Sequence, residues 1–102
     1  MAETHRILGD NAWVEFKESG YPFSLRRKLK EAIDDEALIA IIAPYVSACH
    51  LPKVNGSLDS PVISIGSVDD LAQIDERLTT KLIWEFYDFR AERVREPVSK
   101  NN

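Results

Sequence analysis

The sequence is short of the residues that usually announce chemistry. Its 102 residues include one cysteine, Cys49, so no disulfide can close within the chain. Only two histidines are present, His5 and His50, and there is no second thiol or CxxC, which argues against a zinc site built by one chain. Four glycines are scattered singly, and no glycine-rich loop of the kind that cradles phosphates occurs. A GxSxG elbow is also missing, and no Cys/His pair with an orienting Asn is indicated. With 13 basic and 17 acidic side chains the net charge is −4, so the basic excess that a duplex-binding surface draws its affinity from is lacking. No apolar run is long enough to span a bilayer, and the opening MAETHRILGDN has no signal-peptide core. These absences predict a cytoplasmic protein with no catalytic residue, no cofactor and no metal, binding neither nucleic acid nor membrane.

What is present is a soluble-type composition, 44% hydrophobic and 29% charged, in a chain of one-domain length. We expect a flexible leader over 1–10, one globular domain over 11–96 and a flexible tail over 97–102. Trp13-Val14-Glu15-Phe16 reads as a strand with Val14 and Phe16 on one face. After Gly20-Tyr21-Pro22, Ser24 is placed to cap a helix whose buried face is Leu25, Leu29, Ala32 and Ile33. Arg26, Arg27, Lys28 and Lys30 lie between them. They are the one set that could contact phosphate, and more simply they form a solvated helix face.

Asp34-Asp35-Glu36 suits the positive end of a second helix. The apolar run from Ala37 to Cys49 then predicts a central buried helix, kinked or broken near Ala43 by Pro44 and ended by Pro52. Residues 52–61 read as a loop. Val62 to Ile65 reads as a second strand that would pair with 13–16. Ser67-Val68-Asp69-Asp70 approximates a capping box, from which nothing interrupts a helix to about Arg95. The expected fold is therefore mainly α within the α+β class: about three helices, the last one long, with a minimal two-stranded ribbon. The expected core is Trp13 or Phe16 with Leu29, Leu38, Ile41, Ile42, Val46, Leu71, Ile74, Leu78, Leu82 and Phe86.

The last helix carries the densest signal, KLIWEFYDF over 81–89. Leu71, Ile74, Leu78, Leu82, Phe86 and Phe89 make one stripe at spacings of three and four, an ordinary core face. Ile83, Tyr87, Ala91 and Val94 make a second run roughly 100° away, with Trp84 farther round. A helix packed on one neighbour needs only the first stripe. The second is either covered by another element or is a partner surface, with Arg90, Arg93 and Arg95 as its polar rim. Ile83, Trp84, Tyr87, Ala91, Val94 and Arg90 are the candidate partner-binding residues, Trp84 and Tyr87 being of the types that recur as interface anchors.

The order of features resembles a known family. A polar leader, WVEF, a charged helix, an apolar segment ending in HLP, a Gly-containing turn and an acidic start at VDDL follow one another over about residues 11 to 94. This pattern resembles the small tail assembly chaperones of long-tailed bacteriophages. The resemblance implies a mostly helical, non-catalytic protein of the host cytoplasm that binds the tape measure protein and assists assembly of the tail tube protein. It also implies a longer form made by ribosomal frameshifting, for which Lys100-Asn101 would fit a slippery run of adenines. The dense aromatic C-terminal helix is a departure from the pattern. It leaves an alternative open: a small structural tail or head–tail adaptor that self-associates through that helix.

Overall fold

The computed structural model of the chain describes residues 2–54 and 60–95. The expected tail over 97–102, Lys100-Asn101 included, lies outside the described residues. Three strands, β1 (His5–Gly9), β2 (Ala12–Phe16) and β3 (Val46–His50), form one antiparallel sheet in the order β1-β2-β3. Three helices among the described residues, α1 (Ser24–Glu31), α2 (Asp35–Ile42) and α3 (Glu76–Arg95), and two 3₁₀ turns, Ala43–Tyr45 and Val68–Leu71, complete an α+β fold.

The strand count corrects the two-stranded ribbon expected above. β2 is the strand expected over 13–16, and its alternation holds, with Ala12, Val14 and Phe16 buried. Its partners are different. Part of the expected leader is a strand: His5 pairs with Glu15 and Ile7 with Trp13. The turn Asp10-Asn11 makes this hairpin possible, because Asn11 adopts φ 58°, the left-handed conformation that Asn tolerates better than most side chains. Leu8 is an extra residue opposite the Trp13–Ala12 step, and this bulge turns it into the core.

The second partner comes from the run read as helix up to Cys49. Pro44 ends α2 at Ile42 rather than kinking it, and a single 3₁₀ turn carries the chain into β3. Val46–His50 then pairs with β2 along its free edge. Four apolar or small residues, Val46 to Cys49, look alike as helix or strand, so periodicity cannot decide between them; an unpaired neighbouring edge can. Val62, expected to pair with 13–16, instead makes an isolated bridge to Leu51 just beyond β3.

α2 begins as expected, with the Asp34 carboxylate accepting the Ala37 N–H at 2.8 Å. α1 does not use its expected cap: Phe23 occupies the cap position, and Ser24 is the first helical residue. α1 also ends at Glu31, so Leu25 and Leu29 are buried while Ile33, expected on the same face, is exposed. The Ser67–Asp70 capping box forms in full, but it caps the short 3₁₀ turn. Residues 72–75 break the long helix expected here. Val54 N–H bonds to Gln73 C=O at 2.8 Å and Lys53 bridges to Ile74, which draws that stretch out of helical geometry. The helix restarts at Asp75, whose carboxylate accepts the Arg77 N–H at 2.8 Å. α3 therefore has 20 residues, about 30 Å of helix rather than 40.

The core lies between one face of the sheet, α2 and α3. Phe16, Leu29, Ile42, Leu71, Ile74, Leu82 and Phe86 are buried as expected, and Phe89 joins them. Leu38, Ile41, Val46 and Leu78 pack against this core half-buried. Of the Trp13 or Phe16 alternative, Phe16 is the core residue. Its ring centroid lies 5.3 Å from those of both Phe86 and Phe89. Trp13 faces the outer side of the sheet, between His5 at 4.9 Å and His50 at 6.4 Å.

Burial has a consequence at alkaline pH. Burial pushes the Cys49 thiol from 9.0 up to about 11. It also raises the Tyr21 phenol from 10.0 to about 12, against the opposing pull of the Arg93 charge. The native state thus keeps protons that the unfolded chain has released, so raising pH through this window favours unfolding. The urea midpoint should fall as pH rises from about 9 to about 11, and Cys49→Ala should flatten the fall. A midpoint that is level across that range would show that Cys49 is not buried as described.

Candidate functional site

The second apolar run of α3 is divided along its length. At its N-terminal end Ile83 is buried, 5% exposed, in a cleft it shares with Ile39, Leu71 and Ile74. α2 and the 3₁₀ turn cover it, so Ile83 is core and leaves the set of candidate partner-binding residues. Beyond it the cover ends. Tyr87 packs half-buried against the core, whereas Ala91 is exposed. Val94 is 58% exposed and Trp84 is 68% exposed. Trp84, Tyr87, Ala91 and Val94 follow at spacings of three, four and three, so they form one continuous ridge on the outward side of α3. Glu76, Arg77, Thr80 and Lys81 surround Trp84.

At its C-terminal end the ridge drops into a groove of about 260 Å³ between α3 and the start of α1. Tyr21, Leu25 and Val94 line it with Phe23, which is 82% exposed. Arg26, Arg90 and Arg93 stand around it. Two of these guanidiniums are held in place. That of Arg93 lies 4.5 Å from the Tyr21 ring centroid and donates to the Glu18 carbonyl. That of Arg26 lies 5.2 Å from the Phe23 ring centroid. Tyr21 is itself fixed, its hydroxyl donating to the Lys17 carbonyl at 2.7 Å and its ring stacked on Tyr45.

Of the six candidate partner-binding residues, Trp84, Ala91 and Val94 are exposed, Tyr87 and Arg90 are half-buried and Ile83 is buried, while the exposed Phe23 was not among them. A signal for Phe23 existed. It directly precedes the stripe set by Leu25 and Leu29 and follows Pro22, so it falls at the helix end, where no turn precedes it to cover its ring.

The basic face of α1 and the Cys49-His50 pair lie apart from this ridge. Arg26, Arg27, Lys28 and Lys30 are exposed on α1. Cys49 and His50 point to opposite faces of β3. The thiol is buried 3.6 Å from the Val62 carbonyl, while His50 Nδ1 lies 2.7 Å from the Asn11 carbonyl on the outer face. Among the described residues, no three His, Cys, Asp or Glu side chains are grouped to hold a metal ion. No helix among them is long and apolar enough to cross a membrane. Comparison with family models, with curated proteins and with solved structures gave no match to this chain.

Proposed function

We propose that this protein is a non-catalytic assembly chaperone of a long-tailed bacteriophage. In this reading it works in the host cytoplasm, holds apolar segments of the tape measure protein on the Trp84–Tyr87–Ala91 ridge and assists assembly of the tail tube. The observation that carries the reading is Trp84. An indole 68% exposed stands in the middle of a helix whose two phenylalanines are fully buried. A large apolar side chain left in water next to further apolar surface marks a place where another chain is covered and released. The feature order shared with tail assembly chaperones supports the choice of partner.

The test is co-expression with the tape measure protein of the same genome. The wild-type chain should keep that partner soluble and co-purify with it. Trp84→Glu should lose both effects, and its own stability should change by no more than about 0.5 kcal/mol, as for an exposed site. A partner that stays insoluble beside well-folded wild-type protein would rule the reading out. The alternative, a small tail or head–tail adaptor that self-associates through its C-terminal helix, would use the same exposed ridge of α3 and predicts a stable, concentration-independent oligomer.

A further inference from the structure

We propose that copies of this chain join head to tail, the Ile33–Glu36 turn of one copy docking in the Phe23–Val94 groove of the next. Ile33, 89% exposed, and Phe23, 82% exposed, are the two most exposed large apolar side chains among the described residues. They flank the two ends of α1, whose eight residues span roughly 12 Å, so one copy cannot bring its own turn to its own groove.

The charges around the two anchors are opposite. Ile33 is followed by Asp34, Asp35 and Glu36. Asp34 is engaged as the cap of α2, but Asp35 and Glu36 are exposed and border the same cleft as Asp69 and Glu76. The groove around Phe23 and Val94 carries Arg26, Arg90 and Arg93 instead. A protein of net charge −4 thus places three guanidiniums around one apolar groove, and three consecutive acidic residues directly after one exposed isoleucine. Burial of Ile33 against Phe23 and Val94 would supply the attraction, and the flanking charges would set orientation and reject the reversed pairing. Because the two surfaces differ, the contact is heterologous and repeats from copy to copy. Trp84 lies outside both surfaces, so such an array would leave a ridge open on every copy. The inference does not depend on the chaperone reading.

Sedimentation equilibrium tests it directly. At low salt the weight-average mass of the wild-type chain should rise with concentration beyond that of a dimer. In about 1 M salt, where the screening length is about 3 Å, it should fall toward the monomer. Arg90→Glu and Asp35→Arg should each remain monomeric. Ile33→Ser should be monomeric without any change of charge. A mixture of Arg90→Glu with Ile33→Ser should form a 1:1 dimer that grows no further, since Ile33→Ser keeps an intact groove, Arg90→Glu keeps an intact turn, and the two altered surfaces left at the ends lack an anchor and repel. A wild-type chain that stays monomeric, one that stops at a symmetric dimer, a mixture that stays monomeric, or association that survives these substitutions would each overturn the proposal.

Discussion

Phe86→Ala should cost about 3–5 kcal/mol of folding stability, a large part of what a domain of this size holds. Phe86 has no exposed surface, and its ring meets three parts of the chain that share no regular element. It stands edge-on to Phe16 of β2 at 5.3 Å, lies 6.2 Å from Tyr45 in the 3₁₀ turn, and 6.4 Å from Tyr21 ahead of α1. Truncation would open a cavity walled by other aromatic rings, which cannot collapse into it without leaving their own contacts. Urea denaturation should show the midpoint shifted by a large fraction of its value, or no folded baseline at all. Trp84→Ala, two positions away, should move the midpoint hardly at all. Similar costs at the two positions would mean that α3 is rolled about its axis relative to this structure, and that the ridge is not where it is described.

Arg6→Ala should release β1 from α3. The Arg6 guanidinium spans Glu85 at 3.3 Å and Glu92 at 2.7 Å, two carboxylates seven residues apart on one side of α3, and its Nε donates to the Glu3 carbonyl at 2.8 Å. Its side chain is mostly buried, unlike that of a surface ion pair, so solvent screening is reduced. Removing the cation leaves both carboxylates facing the sheet without it, at a cost of about 1–3 kcal/mol. The effect should be local. Amide exchange in His5–Gly9 should speed up by about one to two orders of magnitude, while the β2–β3 pairing holds. Combining Arg6→Met with Glu85→Gln and Glu92→Gln should recover part of the loss, because no charge is then left without its partner. Unchanged exchange in β1 after Arg6→Ala would show that the hairpin turn, not the ion pairs, holds the strand.

The two substitutions probe unequal parts of what could be read in advance. Phe86 was legible: its stripe from Leu71 to Phe89 is a repeat along one chain segment, and the segment is helical over most of that length. The role of Arg6 was not. It stands in a polar stretch with only a short alternation, and its two partners lie 79 and 86 residues away. The ridge falls between these cases. A helical wheel placed both Ile83 and Trp84 off the main core stripe, but only the element lying above each position could show that one is covered and the other is not.

By itself, the sequence determined the start of α2 at Asp34, the capping box at Ser67, the strand through Val14 and Phe16, and the core stripe of α3. Each of these depends on residues close together in the chain, through a cap, an alternation or a three-to-four spacing. Tertiary structure alone decided that Val46–His50 is a strand, that His5–Gly9 joins the sheet, and that the long helix breaks before Glu76. In each case the local signal was too short or too even to choose. What chose was a partner elsewhere: the two edges of β2 for the strands, and the bridge from Lys53 and Val54 for the break.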